Sequence, residues 1–263
     1  MRTNLLIEGL PGSGKSTLLT HLAQQYHYRP YREGDLSPIE LAWCALLTPQ
    51  QWEDTLRRYP QLAQPIREKT RAEGPHRILA YTQVPDAGEA FYRELEQHEI
   101  YNGRVDFDAF RETVFRRYRA FQGAGCAFEC SLLQNSIESL MLFYQLPDGE
   151  ILDFYEQAFS LLRPKGFGVL YLDSVQVREN LLHIKSERSD EAGNELWFPM
   201  MLGFICGSPY GLAHGCTGLE DAVAHFERRR SLESRILREI IGPDGLVLPA
   251  KHYDLKEIER CLQ

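Results

Sequence analysis

Short apolar runs divide the chain into predicted β-strands, and each run is followed by a stretch with helical spacing. The runs cover residues 5–8, 126–129, 169–173 and 246–248. A continuous apolar run bounded by turn residues is typical of a strand that is buried on both faces. The run at 169–173, Val-Leu-Tyr-Leu-Asp, is the clearest of the four and ends in a carboxylate.

Helices are predicted from apolar residues at three- and four-residue spacing and from capping residues at their starts. Residues 18–26 and 107–121 each carry one apolar stripe. Ser37-Pro38-Ile39-Glu40 and Thr48-Pro49-Gln50-Gln51 have the capping-box pattern with proline at the first helical position, so two helices are expected within 38–72. Further helix starts are expected at Asp106, Asn135, Asp148, Thr217 or Gly218, and Asp254.

The alternation of strands and helices predicts an α/β fold with a parallel sheet of about five strands, because parallel strands need helical crossovers. No internal repeat and no Gly/Ser-rich linker divides the chain. We therefore interpret residues 1–263 as a single domain. Within it, we assign approximately 36–105 to a helical insertion and approximately 174–218 to a lid region.

Composition and charge restrict the expected partners. The chain has 263 residues and a formal net charge of −8. Surfaces that bind nucleic acid usually need clustered positive charge, so we expect no nucleic-acid partner. No stretch reaches the roughly 18 apolar residues of a membrane span, and no secretion signal is recognisable, so we expect no membrane partner and a soluble, cytoplasmic protein. The six cysteines lack metal-binding spacing and are predicted to be reduced thiols.

Residues 9–17 contain the pattern G-x-x-x-x-G-K-[ST], the Walker A motif or P-loop, between a predicted strand and a predicted helix. In this motif, glycines let backbone N–H groups turn toward phosphate oxygens, and the helix N-terminus adds its positive dipole end. Lys15 is expected to reach the β- and γ-phosphates of ATP, and Ser16 is expected to ligate Mg²⁺. The predicted fold is therefore a P-loop NTPase fold. The predicted cofactor-binding residues are Gly9, Pro11, Gly12, Ser13, Gly14, Lys15, Ser16 and Thr17.

Other sequence features separate the classes of P-loop protein. The chain has no Asn/Thr-Lys-x-Asp stretch that would read guanine, and residues 251–254 have the wrong spacing. Asp173 is followed by Ser174 rather than by the glutamate that polarises water in many motor and transporter ATPases. The transporter signature Leu-Ser-Gly-Gly is also absent from the sequence. An enzyme without a water activator is better suited to passing phosphate to another hydroxyl or phosphate.

Four stretches, taken in order, resemble the thymidylate kinase and deoxynucleoside kinase group of P-loop kinases. They are IEGLPGSGKST at 7–17, YREGDL at 31–36, FECS at 128–131 and LYLDS at 170–174. The resemblance spans the chain, but only the P-loop is a specific match. Cys130 stands where that group has an arginine that holds substrate or phosphate. The resemblance therefore implies a divergent kinase that uses ATP and Mg²⁺.

The resemblance implies that Glu33 is the general base near the acceptor hydroxyl, with Asp35 as the second candidate. Both follow the second predicted strand and flank Gly34, and the carboxyl ends of parallel strands face the crevice where such sheets bind ligands. The alternative is that both are exposed loop acids and that Asp35 only assists a helix start. Glu129 ends the third strand and is a candidate for the magnesium site or the acceptor; the alternative is an ion pair.

Cations of the predicted lid are candidates for contact with the transferred phosphoryl group. Arg178, Lys185 and Arg188 lie in a highly charged segment, and a closing lid would bring such cations over ATP. We name Arg178 and Arg188 as candidate catalytic residues; the alternative is a solvated helix face. Asp173 is assigned a structural role as a helix cap. The arginines of the 106–121 helix are expected to face solvent, and the alternative is that one of them clamps an anionic acceptor. They are Arg111, Arg116, Arg117 and Arg119.

These features favour an ATP-dependent kinase, a transferase whose partner is a small-molecule acceptor. A nucleoside or a nucleotide is one option for that acceptor. The first alternative is a slow P-loop NTPase that acts as a switch or a regulatory nucleotide-binding protein. The second alternative keeps the scaffold but transfers another group, such as sulfate. The oligomeric state stays open, with a homodimer as one option.

Overall fold

The computed structural model of the chain describes residues 3–188, 195 and 197–262. These residues form two compact units. The first unit combines Met1–Pro30 with Gly123–Gln263, and the second is Tyr31–Gln122. The chain therefore leaves the first unit once and returns to it.

Strands and helices alternate through most of the described residues. In chain order, the strands are β1 (Asn4–Gly9), β2 (Arg29–Tyr31), β3 (Ala45–Leu47), β4 (Thr70–Glu73), β5 (His76–Leu79), β6 (Cys126–Glu129), β7 (Phe167–Asp173) and β8 (Gly245–Pro249). The α-helices are α1 (Lys15–Tyr26), α2 (Pro49–Arg58), α3 (Ala63–Glu68), α4 (Glu89–Glu96), α5 (Phe107–Ala120), α6 (Gln134–Glu138), α7 (Asp148–Leu162), α8 (Val177–Glu187), α9 (Trp197–Cys206), α10 (Pro209–Ala213), α11 (Leu219–Ile236) and α12 (Leu255–Leu262). None of the helices in the described ranges combines the length and the apolarity needed to cross a bilayer.

The first unit is built on a five-stranded parallel sheet in the order β2-β6-β1-β7-β8. β1 lies at its centre, where Leu6 is in register with Phe128 of β6 on one side and with Val169 of β7 on the other. All three side chains are fully buried. The predicted α/β fold with a parallel sheet of about five strands is therefore confirmed. Because the strands are parallel, the segments that follow β1 and β6 leave the sheet at the same edge.

Helix α1 packs on this sheet through the apolar stripe that its sequence predicts. Leu18, Leu19 and Leu22 are fully buried in one core cluster with Leu5 and Ile7 of β1. Burying a leucine or isoleucine side chain contributes roughly 1.5–3 kcal/mol each, so this cluster fixes α1 against β1. The N-terminus of α1 is consequently held next to the carboxyl end of β1.

The second unit contains a three-stranded antiparallel sheet in the order β3-β5-β4. Helices α2, α3, α4 and α5 lie in the same unit. Its core includes Leu47, Trp52, Leu79 and Phe91. The region predicted as a helical insertion, 36–105, therefore holds a small sheet as well as helices, and the sequence pattern did not indicate that sheet.

Two predicted helix starts in this unit are confirmed by their hydrogen bonds. At the start of α2, the Thr48 hydroxyl accepts from the Gln51 backbone N–H (3.3 Å), and the Gln51 side chain accepts from the Thr48 N–H (2.8 Å). At the start of α5, Asp106 Oδ1 accepts from the Ala109 N–H (2.8 Å). These bonds satisfy backbone donors that have no partner inside the helix.

The helix predicted after Ser37 is wrong. Ser37 Oγ does accept from the Glu40 N–H (3.1 Å), as a helix cap would, but the Glu40 carboxylate then accepts from the Ala42 N–H (2.7 Å). The guanidinium groups of Arg71 and Arg117 donate to the Ser37 carbonyl at 2.8 and 2.6 Å. In a helix, that carbonyl would accept a hydrogen bond from the backbone N–H four residues later. The two arginines occupy it instead, so no helix forms here. Arg117, predicted to face solvent, is only 2% exposed.

Predicted caps in the first unit have mixed outcomes. Asn135 does not cap α6; its side-chain amide donates to the Cys130 carbonyl (3.1 Å). Pro147 precedes α7, and Asp148 lies inside its first turn, where an acid still favours the helix dipole. The predicted start of α11 is confirmed, since Gly218 occupies the cap position and its N–H donates to Asp221 (3.1 Å).

Cys206 and Cys216 form a disulfide in the structure. The prediction that all six cysteines are reduced is therefore wrong for this pair. Cys44, Cys126 and Cys130 are buried free thiols, in agreement with the prediction. The bridge joins the end of α9 to the segment just after α10, so it closes a short surface loop.

Candidate functional site

The loop between β1 and α1 depends on three glycines with positive φ. These are Gly9 (140°), Gly12 (71°) and Gly14 (100°), and such φ values strain a residue that has a Cβ. Space is also lacking: a Cβ on Gly9 would lie 2.5 Å from the Leu172 carbonyl oxygen. A Cβ on Gly12 would lie 2.4 Å from the Ile184 side chain. The glycines at both positions are therefore required by conformation and by packing.

Lys15 is the first residue of α1 and is almost fully buried, with 6% of its surface exposed. Its ammonium donates to the backbone carbonyls of Gly9 (2.8 Å) and Leu10 (3.0 Å). A buried ammonium needs such partners, because an unpaired buried charge is very costly. The loop thus folds around the ammonium of the motif's lysine.

Ser16 and Glu129 meet at the edge of the sheet, although 113 positions separate them in the sequence. Ser16 Oγ donates to Glu129 Oε1 at 2.5 Å. Glu129 ends β6, which pairs directly with β1, and it is 8% exposed. The two residues predicted to hold Mg²⁺ are therefore in direct contact.

Residues outside the motif hold the loop in place. The Asn180 side-chain amide of α8 donates to the Pro11 carbonyl (2.8 Å). Ile184, one turn further along α8, packs against Gly12. The Lys251 backbone N–H, just after β8, donates to the Ser13 carbonyl (3.2 Å). Sequence reasoning missed these supports because they come from segments far from the motif.

A scan of the sequence against protein-family models gives no match, and a search of curated proteins gives no match either. Within the described ranges, no group of three or more His, Cys, Asp or Glu side chains is arranged to hold a metal ion. The glycine loop, Lys15 and the Ser16–Glu129 contact therefore carry the functional interpretation by themselves.

Cys130 follows Glu129, at the position where the kinases that the sequence resembles have an arginine. It is 1% exposed and has a positive φ of 57°. Its backbone N–H donates to the Ile7 carbonyl (3.1 Å). A buried side chain at this position cannot extend into solvent to meet a phosphate, so Cys130 does not take over the role that the resemblance gives to that arginine.

The cations predicted to act from the lid are engaged with other partners in this structure. Arg178 forms an ion pair with Glu220 of α11. The Arg188 guanidinium lies over the Trp197 ring, 5.1 Å from its centroid. Contact of either arginine with a phosphoryl group stays a prediction. Residues 189–194 and 196 of the predicted lid lie outside the described residues.

Asp173 has a structural role, as predicted, but it is not a helix cap. Its two carboxylate oxygens accept from Arg230 Nε (2.6 Å) and Nη2 (2.7 Å). Gln176 occupies the cap position of α8 without a side-chain hydrogen bond. The two-pronged Arg–carboxylate geometry joins the end of β7 to α11.

Glu8 is a buried carboxyl directly before the loop, and sequence reasoning missed it. Its oxygens accept from the backbone N–H groups of Leu132 (2.7 Å) and Gln134 (3.3 Å). Burial raises the pKa of Glu8 to about 7, although the hydrogen bond from Leu132 opposes this effect. The carboxyl therefore links β1 to the segment after β6, on the strand that enters the glycine loop.

A chain of buried polar groups connects α11 with this part of the sheet. His225 contacts Glu138 (2.7 Å), and Arg229 bridges Glu138 (2.7 Å) and Glu233 (2.8 Å). The Tyr171 hydroxyl of β7 donates to Glu233 (2.7 Å). Burial alone would raise the pKa of Glu138, but His225 and Arg229 outweigh burial and lower it to about 2. Glu138 is therefore an anion throughout the physiological pH range.

The two predicted base candidates belong to the second unit, in the turn after β2. Asp35 is committed to that turn, since it accepts from the Arg32 backbone N–H (2.7 Å) and from the Gln83 side chain (2.9 Å). Glu33 is partly buried. The pKa of Glu40 is raised first by the burial of Glu40 itself, and the charge of Glu33 raises it further. Neither is a fully exposed loop acid. Their role as a base stays a prediction.

Glu40 is a fully enclosed carboxyl in the second unit. Its Oε1 accepts from the Tyr101 hydroxyl (2.5 Å), the Leu41 N–H (2.8 Å) and the Ala42 N–H (2.7 Å). Burial raises the pKa of Glu40 to about 8, and these hydrogen bonds only partly offset that rise. The folded protein therefore keeps a proton on Glu40 at neutral pH, where an unfolded chain does not.

We expect this proton to make stability depend on pH. Between the unfolded pKa of 4.5 and the folded pKa of about 8, the folded state binds one more proton than the unfolded state. The free energy of unfolding therefore falls as pH rises through this window. Because of Glu40, the wild type is expected to lose on the order of a few kcal/mol of its free energy of unfolding between about pH 5 and about pH 8. Glu40→Gln mimics the protonated carboxyl, so this loss is expected to be absent from the variant. Urea unfolding at both pH values measures it.

The matched control is Glu53→Gln, which neutralises an exposed glutamate of α2 in the same unit. It is expected to leave the pH dependence of the wild-type protein unchanged. Equal pH slopes for the wild type and Glu40→Gln would refute the assignment of the proton to Glu40.

Proposed function

We propose that this protein binds ATP with Mg²⁺ and transfers the γ-phosphoryl group to a hydroxyl or phosphate of a small molecule. The observation that carries the proposal is the combination at the end of β1: a glycine loop, a buried lysine and a Ser16–Glu129 pair. The resemblance to nucleotide and nucleoside kinases extends the proposal to an acceptor of that kind. Because ATP is the donor, the proposed compartment is the cytoplasm.

Three features of the loop fit a polyphosphate. The N-terminus of α1 follows the loop directly, so its unpaired N–H groups and dipole favour an anion there. Lys15 donates to carbonyls, and charged phosphate oxygens are stronger acceptors for its ammonium. Within the described residues, Ser13 Oγ is buried without a hydrogen-bond partner, and a phosphate oxygen would supply one.

The Ser16–Glu129 pair fits Mg²⁺. Oxygen ligands on adjacent corners of a magnesium octahedron are about 2.9 Å apart, slightly more than the 2.5 Å between Ser16 Oγ and Glu129 Oε1. This spacing suits an arrangement in which Ser16 Oγ is a ligand of Mg²⁺. Glu129 would then accept a hydrogen bond from the Ser16 hydroxyl or from a water bound to the metal. When bound, Mg²⁺ would neutralise charge on the β- and γ-phosphate oxygens.

In the proposed reaction, an acceptor oxygen bonds to the γ-phosphorus while the bond from that phosphorus to the β,γ-bridging oxygen breaks. The acceptor proton passes to a carboxylate, for which Glu33 is the first candidate and Asp35 the second. Lys15 would stabilise the charge that develops on the phosphate oxygens. Arg178 and Arg188 are the candidates for additional cations at the transferred group.

The decisive experiment incubates the protein with radiolabelled ATP, Mg²⁺ and a panel of small molecules that carry hydroxyl or phosphate groups. We expect labelled product with at least one acceptor and none with Lys15→Met. Glu33→Gln is expected to lower the transfer rate by a factor on the order of 10² to 10⁴ while ATP binding persists.

Release of inorganic phosphate without transfer to any acceptor would reject the kinase proposal in favour of an NTPase. Failure to bind ATP at all would reject both. A stronger response to a sulfated nucleotide than to ATP, measured by thermal shift, would indicate transfer of sulfate.

A further inference from the structure

A cavity of about 290 Å³ lies in the first unit beside α11, and the proposed function does not use it. Its apolar lining includes Met141, Leu142 and Ile205. Its lining also includes Tyr210 and His214, whose rings stack with their centroids 4.0 Å apart. An apolar surface next to flat rings is suited to a planar ligand.

Arg228 and His225 also line this cavity. The Arg228 guanidinium lies over the Tyr210 ring, 5.9 Å from its centroid, and donates to Asp148 through one nitrogen at 2.9 Å. A guanidinium has five N–H donors, so Arg228 retains capacity for a second anion. His225 is buried and is fixed by its contact with Glu138.

The acidic groups nearby are committed to other partners. Asp221, which also lines the cavity, accepts from the backbone N–H groups of Thr217 (2.8 Å) and Gly218 (3.1 Å) at the start of α11. Those two hydrogen bonds lower the pKa of Asp221. Glu138 is taken by His225 and Arg229. Among the residues that line the cavity, Arg228 is therefore the side chain that can pair with an anionic ligand.

We propose that this cavity binds a small planar aromatic carboxylate with a single ring. The ring packs against Tyr210 and the apolar lining, and the carboxylate pairs with Arg228. The volume lies at the lower end of the range for ligand pockets, roughly 300–1,000 Å³, which limits the ligand to about one ring. No residue of the glycine loop takes part, so this site is separate from the proposed nucleotide site.

The test measures binding of benzoate to the full chain by isothermal titration calorimetry, with two matched ligands. Benzamide removes the charge, and cyclohexanecarboxylate removes the aromatic ring. A ligand of this size is expected to bind with a dissociation constant on the order of 1 mM. We expect both matched ligands to bind about tenfold more weakly. No benzoate binding at about 10 mM, or equal binding of either matched ligand, overturns the proposal.

Variants locate the binding site. Arg228→Met is expected to weaken benzoate binding on the order of tenfold. Ala224→Phe places a ring into the cavity from an exposed position of α11, so the fold tolerates it while benzoate binding is lost. Glu227→Phe is the matched control, an exposed position on the same helix that is not part of the lining. It is expected to bind benzoate like the wild type.

Two outcomes with these variants overturn the proposal. One is wild-type affinity for benzoate in Ala224→Phe. The other is loss of benzoate binding in Lys15→Met, because that would locate the anion at the glycine loop. If Lys15→Met binds benzoate normally but not ATP, the two sites are independent. Failure of ATP to bind the wild type would then count against the kinase proposal alone.

Discussion

Lys15→Met is expected to weaken ATP binding on the order of a hundredfold. The ammonium lies inside the glycine loop, 2.8 Å from the Gly9 carbonyl oxygen, where a phosphate would replace its present partners. A hydrogen bond between charged groups contributes up to about 3 kcal/mol, which corresponds to this loss of affinity. Methionine keeps most of the side-chain volume but removes the charge. Calorimetric titration with ATP and Mg²⁺ measures the change.

The control for this variant is Lys256→Met, which removes the same charge from an exposed position of α12. It is expected to bind ATP like the wild type. Lys15→Met also leaves two loop carbonyls without their donor, so its thermal unfolding is measured first without nucleotide. A folded Lys15→Met variant with unchanged ATP affinity would remove the basis for the kinase proposal.

Arg229→Met is expected to cause the largest loss of stability, about 3–5 kcal/mol in the free energy of unfolding. Arg229 is 1% exposed and is the only described cation that bridges both Glu138 and Glu233. Its removal leaves Glu138 with His225 alone and Glu233 with the Tyr171 hydroxyl. Buried carboxylates that lose a charged partner are strongly destabilising, whereas the lost methylene packing is restored by methionine. Urea denaturation measures the effect.

Arg235→Met is the matched control, because it lies on the same helix with 38% of its side chain exposed. An exposed ion pair contributes at most about 1 kcal/mol, so this variant should unfold close to the wild type. A second comparison adds Glu138→Gln to Arg229→Met, which is expected to recover part of the lost stability. Equal effects of the Arg229 and Arg235 variants would show that the buried chain of charges is not a stabilising unit.

The sequence predicts those parts of the fold in which local pattern and tertiary packing agree. All four apolar runs became strands: those in β1, β6 and β7 are buried on both faces, whereas β8 exposes Val247 by 51%. Thr48 caps α2 with the residues that its pattern specifies. The Ser37 box has the same pattern, yet Arg71 and Arg117 take its carbonyl. The small antiparallel sheet was missed because β4 reads Thr-Arg-Ala-Glu, without alternating apolar residues.

The candidate site shows the same division between local and distant information. The motif alone identified Lys15 and Ser16, and the end of a predicted strand identified Glu129. Partners such as Arg230 for Asp173 could not be found, because the two lie 57 positions apart and only the fold brings them together. The spacing of Arg229 and Glu233 on one helix was a usable signal for an ion pair, but nothing in it reveals that the pair is buried.

The Cys206–Cys216 bridge gives the protein two chemical forms that differ at the proposed aromatic-acid site. Cys216 lines that cavity, and the bridged segment carries Tyr210 and His214. A dithiol reductant in the purification buffer would exchange with the bridge and yield two thiols, which frees the segment to move independently of α9. Samples prepared with and without reductant are therefore expected to bind the same aromatic acid with different affinities. Thiol alkylation followed by mass spectrometry distinguishes the two forms before any titration is compared.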